Sequence, residues 1–139
     1  MKKTVALKMG VKVNIKAFFK NADIEAIEDI ELPPLNIFTE LNGKFDYIHL
    51  FTKNQADFNE NFPKLKLHLK PSGMLWVSWP KGGKLGTDLN MKTVIELGYD
   101  YGLVESKCLS INDIWSGLKF THPKEGKVYN NSYGKLKLS

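Results

Sequence analysis

Polar and aromatic side chains that are able to bind a ligand follow the apolar runs of this chain. Hydroxyl, ammonium, carboxylate and indole groups occur together there, and a site for a small polar molecule needs such groups. In open α/β sheets a ligand binds beyond the carboxyl ends of the strands, so the residues after each run are the first candidates. The candidate ligand-binding residues are Thr52, Lys53, Ser78, Trp79, Lys81, Asp113 and Trp115. No pattern assigns a catalytic role to any of them.

A glycine-lysine loop follows the second apolar run. It reads Lys81-Gly82-Gly83-Lys84 and leads toward a helix capped by Thr87 or Asp88. Two lysines, free backbone N–H groups and a helix N-terminus favour an anion. The spacing differs from that of a phosphate-binding loop, and the Asp88 carboxylate would repel an anion. A solvated loop is therefore the competing interpretation.

Three tryptophans are a large number for so short a chain. Trp76 and Trp79 lie three residues apart, so a strand would turn them to opposite faces. One ring then belongs to a core, and the other lines a pocket or an interface. In the last strand, Ile114 and Leu118 are expected on one face and Trp115 on the other, packed in the core or at a subunit contact.

The histidines and the single cysteine do not have the spacing of a metal site. His49 lies inside an apolar run, where a core histidine bonded to a neighbour is expected, and His68 and His122 are far from it in sequence. The chain also lacks the G-x-S-x-G pattern of a nucleophilic serine. We expect no metal and no nucleophilic triad. Cys108 has no partner for a disulfide, which fits a reducing cytoplasm.

Length and composition indicate one globular domain without a membrane segment. The chain has 139 residues, of which 42% are hydrophobic and 25% charged. No apolar run approaches the roughly 20 residues that span a bilayer, and no secretory signal is visible. We predict a cytoplasmic protein with a single domain over residues 1–122 and a polar tail over residues 123–139.

The net charge of +5 comes entirely from lysine, because the 20 basic residues include no arginine. Lysine neutralises phosphates as a point charge, whereas base-specific contacts favour arginine. Nonspecific nucleic-acid association through the basic termini is therefore one alternative function. Residues 1–20 carry six lysines and no acid, while residues 23–31 carry five acids and no base. These two segments are expected to lie side by side.

Hydrophobic periodicity and turn residues predict alternating strands and helices. The predicted strands cover residues 11–19, 35–41, 45–51, 74–79, 103–111 and 114–121, and the predicted helices cover residues 23–30, 55–69 and 88–99. Pro63 interrupts the second helix, which leaves two consecutive helices or one kinked helix. Pro71-Ser72-Gly73 is predicted to be a turn, and Asn112-Asp113 to be the turn of a hairpin.

The strand over residues 35–41 is ambiguous in direction. Only about three residues around Asn42-Gly43 separate it from the next strand, and each residue spans at most about 3.5 Å. A parallel return over the full strand length is therefore impossible. The segment is either antiparallel to its successor or a short edge strand.

Several strings of the chain resemble a known family. FDYIHLF, GMLWVSWP, VESKCLSIND and IWSGLKF resemble the fourth strand, the fifth strand and the final hairpin of class I methyltransferases. More narrowly, FDYIHLF, GMLWVSWPK, TDLN and WSGLKF resemble small bacterial proteins of unknown function, over about residues 43–120. The resemblance implies a Rossmann-like α/β fold: a mostly parallel sheet flanked by helices, with a C-terminal antiparallel hairpin.

The glycine-rich loop of such methyltransferases is missing from this chain. That loop follows the first strand and lets the backbone approach S-adenosylmethionine. Here the first strand runs into Lys20-Asn21-Ala22-Asp23, and Gly10 is the only glycine before Asn42. The region before Phe45 is also short, so we predict a fold truncated in its N-terminal half. We expect S-adenosylmethionine not to bind.

The sequence therefore predicts a degenerate methyltransferase-like domain that acts by binding or by protein interaction. Its partner is either a second copy of the chain, in a homodimer, or another protein. The second interpretation is a small-molecule or anion-binding enzyme with its site around Ser78–Lys81.

Overall fold

A six-stranded mixed sheet forms the centre of the fold in the computed structural model, which describes residues 3–127, 129–131 and 134–136. Its strands are β1 (Lys16–Lys20), β2 (Asn36–Phe38), β3 (Phe45–Phe51), β4 (Leu69–Pro80), β5 (Val104–Ser110) and β6 (Trp115–Thr121). The helices are α1 (Val5–Met9), α2 (Ile24–Ile30), α3 (Gln55–Lys66) and α4 (Met91–Asp100). The order of alternating strands and helices confirms the predicted α/β class.

The strand order is β2-β1-β3-β4-β6-β5. The first four strands in this order are parallel to one another, and β6 is antiparallel to both β4 and β5. After β1 the chain moves outward to β2 and then returns to place β3 on the other side of β1. The carboxyl ends of β1 and β3 thus diverge at a topological switch point, where open α/β sheets bind ligands.

The predicted strand over residues 35–41 is a short edge strand, which is one of the two alternatives left open by the sequence. β2 covers Asn36–Phe38, runs parallel to β1 and does not pair with β3. Its three residues are exposed. The return to β3 is feasible because β2 is only three residues long and residues 39–44 connect its end to Phe45.

The predicted strand over residues 11–19 is wrong in its first half. Residues 5–9 form the short helix α1, and β1 begins only at Lys16. Between them, Asn14 adopts a left-handed conformation with φ 61°, and its N–H donates to the Pro34 carbonyl at 2.8 Å. The alternation of Val11 and Val13 therefore belongs to an irregular segment.

The helix after β3 is continuous, although it contains Pro63. α3 ends at Lys66, earlier than predicted. The start of α4 is also corrected, because Asn90 is its N-cap and Asp88 instead accepts a hydrogen bond from the Gln55 N–H at 2.8 Å. Asp88 thus ties the loop before α4 to the first turn of α3.

The segment Pro71-Ser72-Gly73 lies within β4 and is not a turn. The β3–β4 register shifts at this point, pairing Phe45 with Leu69 but Tyr47 with Met74. A Cβ on Gly73 would lie 2.8 Å from Leu69 Cδ1 and 2.9 Å from the Phe45 carbonyl oxygen. The close approach at this irregularity requires glycine.

The sheet buries a hydrophobic cluster on each face. α3 and α4 pack over one face with Trp79 and Leu118, while α1 and α2 pack over the other face with Trp76 and Trp115. The predicted opposite orientation of Trp76 and Trp79 is confirmed, as is that of Leu118 and Trp115. Ile114 differs from the prediction, because it packs on the same side as Trp115.

The C-terminal residues add a two-stranded antiparallel pair, β7 (Asn130–Asn131) with β8 (Gly134–Lys135). Tyr129 and Leu136 pack against the cluster under α3 and α4. The domain boundary at residue 122 stays a prediction. Across the part of the chain that the structure describes, every helix is too short or too polar to cross a bilayer.

Candidate functional site

A cleft of about 450 Å³ opens at the switch point, where the β1–α2 and β3–α3 connections diverge. The β5–β6 hairpin closes one side of it with the first residue of β6. The residues lining the cleft are Asn21, Ala22, Asp23, Phe51, Thr52, Lys53, Asn54, Asp57 and Trp115. We refer to this site as the switch-point cleft.

The first wall of the cleft is the β1–α2 turn. Asn21 adopts a left-handed conformation with φ 57° directly after β1. Asparagine tolerates this conformation better than most residues, so the turn closes without glycine. Asp23 then caps α2, because its Oδ2 accepts a hydrogen bond from the Ala26 N–H at 3.1 Å. Side chains, rather than bare backbone, line this wall.

The opposite wall is the β3–α3 turn. Thr52 is buried, and its N–H donates to the Ser78 carbonyl of β4 at 3.0 Å. Its hydroxyl donates to the Asn54 carbonyl at 3.3 Å. Asn54 is the N-cap of α3 and accepts a hydrogen bond from the Asp57 N–H at 2.8 Å. These bonds fix the turn to the sheet on one side and to the helix on the other.

Asp57 connects the two walls. One carboxylate oxygen accepts a hydrogen bond from Asn21 Nδ2 at 3.4 Å, and the other accepts one from Asn61 Nδ2 at 3.1 Å. Among the lining residues, Asp23 and Asp57 carry negative charge and Lys53 carries positive charge. Carboxylate and amide oxygens therefore dominate the polar surface, although the chain as a whole is basic.

An aromatic pair forms the floor of the cleft. The rings of Phe51 and Trp115 meet edge to face, with centroids 5.3 Å apart and planes at 82°. Trp115 reaches this edge of the sheet because β6 runs antiparallel to β4 and pairs it with Pro80. Asn112 Oδ1 accepts a hydrogen bond from the Trp115 N–H at 2.9 Å and so fixes the start of β6.

A buried polar chain lies directly beneath this floor. His49 Nδ1 is hydrogen bonded to the Tyr47 hydroxyl at 2.6 Å, and Nε2 to the Ser78 hydroxyl at 2.7 Å. The imidazole also stacks on Phe51 with centroids 4.3 Å apart. Burial lowers the pKa of His49 from 6.5 to about 3, and it raises the pKa of Tyr47 well above 10. The expectation of a bonded core histidine is confirmed.

The structure brings together three of the seven predicted site residues. Thr52, Lys53 and Trp115 line the switch-point cleft. Ser78 is fully buried and bonded to His49, and Trp79 packs in the cluster under α3 and α4. The two remaining residues, Lys81 and Asp113, lie outside the cleft.

The glycine-lysine loop is tied to the β5–β6 hairpin. Lys81 donates from its ammonium group to the Ser110 hydroxyl, and Lys84 Nζ donates to the Asp113 carbonyl at 3.0 Å. The Asp113 residue itself is exposed. Both lysine head groups of the predicted anion loop are thus engaged in bonds within the chain.

Sequence reasoning missed most of the residues that line the cleft. These are Asn21, Ala22, Asp23, Phe51, Asn54 and Asp57. The only signals were the helix-start patterns, a capping residue at Asp23 and another at Asn54 followed by an acid three positions later. Such patterns indicate helix starts but do not show that two starts lie side by side. In the part of the chain that the structure describes, no three His, Cys, Asp or Glu side chains gather as metal ligands would.

The backbone is similar to solved S-adenosylmethionine-dependent methyltransferases. A TehB-like enzyme from Corynebacterium glutamicum is 9% identical, with a TM-score of 0.54 over 84% of this chain and 85% of that chain. A precorrin-6y C5,15-methyltransferase from Geobacter metallireducens is 10% identical, with a TM-score of 0.57 over 86% of each chain. An S-adenosylmethionine-dependent methyltransferase from Clostridium acetobutylicum is 9% identical, with a TM-score of 0.55 over 85% and 88%.

At these identities the similarity shows the fold alone. No protein-family model matches the chain, and no curated protein sequence matches it. The fold is thus methyltransferase-like and Rossmann-like, as the sequence strings suggested.

Proposed function

We propose that this chain is a ligand-binding domain on a methyltransferase-like fold, and that it has lost the capacity to bind S-adenosylmethionine. The switch-point cleft holds a small polar ligand in place of the cofactor. We also propose that the chain is related to the small bacterial proteins that its sequence resembles and that it is cytoplasmic. In this proposal it acts by binding and not by methyl transfer.

The observation that supports the loss of the cofactor is the β1–α2 turn. A nucleotide cofactor at this turn needs the backbone to approach closely, which glycine permits. Here Asn21, Ala22 and Asp23 fill the wall with side chains, and the Asp23 carboxylate is held by its bond to the Ala26 N–H. Side chains therefore stand where a cofactor would need bare backbone, and one oxygen of Asp23 is already engaged in capping α2.

The lining of the cleft supports a neutral or cationic ligand with hydrogen-bond donors. Asp23 and Asp57 outnumber Lys53, and the oxygens of Thr52 and Asn54 add acceptors. Acceptor oxygens near a cationic or N–H-bearing ligand give charge-assisted hydrogen bonds, whereas an anion would meet repulsion. The anion-binding alternative around Ser78–Lys81 has less support, because its lysines are engaged and Ser78 is buried.

Calorimetry with S-adenosylmethionine and S-adenosylhomocysteine tests the first half of the proposal. We expect no binding heat from either compound. Micromolar binding of either one would overturn the claim that the cofactor site is gone.

Thermal shift with a metabolite set tests the second half. Compounds that carry amines or amide N–H groups are expected to raise the melting temperature, and phosphates and carboxylic acids are not. Asp57→Asn is expected to abolish the shift, whereas Glu60→Gln, on the exposed side of the same helix, retains it. A set dominated by anionic hits, or a shift that persists in Asp57→Asn, contradicts the proposed ligand chemistry.

A further inference from the structure

A second groove, of about 470 Å³, lies between α1 and the end of α2. Its apolar lining includes Leu7, Val11, Val13 and Pro33, and we call it the N-terminal groove. Leu7 and Val13 are 64% and 59% exposed, which is unusual for aliphatic side chains that flank a common depression. The groove is separate from the switch-point cleft, because α2 begins beside the cleft and ends beside the groove.

The two sides of the N-terminal groove carry opposite charge. Lys12 lies on the α1 side within a segment of six lysines and no acid. Glu31 lies on the α2 side at the end of a segment of five acids and no base. The ion pairs among the described residues are Lys70–Asp46 and Lys92–Glu96, so neither Lys12 nor Glu31 forms an ion pair with a described residue. The expectation that the two charged segments lie side by side holds at this groove.

We propose that the N-terminal groove is the contact surface of a homodimer with twofold symmetry. A twofold axis through the groove places Lys12 of each copy opposite Glu31 of the other, so one surface complements itself. Leu7 and Val13 of the two copies then contact each other across the axis, and their apolar surface is removed from solvent. A partner of one charge sign would satisfy only one side of the groove, whereas a second copy satisfies both.

The dimer is expected to be weak. The exposed apolar residues at the groove are few, and a stable interface buries about 1,600 Å² in total. Ion pairs at an exposed rim contribute little to affinity and are screened by salt. The dimer should therefore depend on protein concentration and weaken as salt is added.

Sedimentation velocity of charge-reversal variants tests the proposal. Lys12→Glu and Glu31→Lys each replace two attractive contacts by two repulsive ones, and each should weaken the dimer by about tenfold or more. Mixing the two single variants restores both attractive contacts, because the mixed pair opposes glutamates with lysines at both positions. The mixture, and the double variant Lys12→Glu/Glu31→Lys, should recover the affinity of the wild type.

Matched controls separate this interface from a general charge effect. Lys64→Glu changes the net charge equally at an exposed position of α3 and should leave the affinity unchanged. Leu7→Asp introduces charge at the centre of the groove at an exposed position, so the monomer folds and the dimer is lost. A wild type that stays monomeric at all concentrations overturns the proposal. The proposal is also overturned if the dimer survives Leu7→Asp. It is likewise overturned if mixing the two single variants does not restore the affinity of the dimer.

Discussion

The neutral imidazole of His49 makes the stability of the fold dependent on pH. Its pKa is about 3 in the folded chain, against 6.5 for an unperturbed histidine. Between these values the unfolded chain binds a proton that the folded chain excludes, so the free energy of unfolding falls as the pH decreases from 6.5 toward 3. The contribution of this residue approaches that of one titrating proton, on the order of 1 kcal/mol for each pH unit in that window.

Urea unfolding over a pH series measures this effect. His49→Gln retains a side chain with hydrogen-bonding groups but cannot titrate, and its stability should fall less steeply with decreasing pH than that of the wild type. His122→Gln is the control for the substitution itself, because His122 lies outside the buried chain of Tyr47, His49 and Ser78. Equal slopes in the wild type and His49→Gln would contradict the prediction.

Trp115 contributes to stability as well as to the switch-point cleft. The side chain is buried, packs against Phe51 and belongs to the hydrophobic cluster on the α1 and α2 side of the sheet. Truncation to alanine removes a large buried ring and leaves a cavity, so Trp115→Ala should cost about 3–5 kcal/mol. Chemical denaturation measures the loss, with Trp115→Phe as the milder companion. A variant as stable as the wild type would show that the ring does not support the core.

The last turns of α4 depend on a glycine that helix propensity disfavours. A Cβ at Gly98 would overlap the Phe120 ring of β6. Gly98→Ala gains up to about 1 kcal/mol in helix propensity. It also overpacks the contact, which typically costs about 1–3 kcal/mol, and we expect a net loss of stability.

A double-mutant cycle resolves the cause of that loss. Phe120→Leu removes the edge of the ring that the new methyl group would strike. The free energies of unfolding of Gly98→Ala, Phe120→Leu and the double variant should then be less than additive. Additive losses would show that the glycine is required for a reason other than the contact with Phe120.

Sequence patterns predicted the central strands well and the N-terminal segment poorly, for a physical reason. β3 and β4 are covered on both faces, so their long apolar runs admit few other structures. The residues before β1 alternate in the same manner, yet Asn14 turns the backbone there and Val13 is exposed. Local alternation does not reveal a bond such as that from Asn14 to Pro34, which depends on where β2 lies.

The candidate site was less predictable than the strands, because it depends on the strand order. Asn21 and Asp57 are 36 residues apart and meet only because β1 and β3 are neighbours in the sheet. Thr52, Lys53 and Trp115 were found because each adjoins a recognisable strand. The β1–α2 turn shows in its sequence only that it lacks glycine, whereas the role of its polar residues as a wall of the cleft depends on the strand order.

Over the entire chain, the C-terminal segment is expected to stabilise the domain without being required for folding. Tyr129 and Leu136 are half-buried against the cluster under α3 and α4. A chain that ends at His122 retains all six strands of the main sheet, so it should fold but be less stable by about 1–3 kcal/mol. Circular dichroism and urea unfolding of residues 1–122 measure both properties. An unfolded fragment would show that the division at residue 122 is not a domain boundary.

The arrangement of the three indoles provides a built-in optical reporter. Trp79 and Trp76 are buried in the hydrophobic clusters on opposite faces of the sheet. Trp76 donates its Nε1–H to the Met74 sulfur at 3.4 Å. Trp115 alone lines the switch-point cleft. A molecule that enters the cleft should therefore change the emission of one indole above the constant background of two. The difference spectrum between wild type and Trp115→Phe would isolate that emission and allow occupancy to be followed without a label.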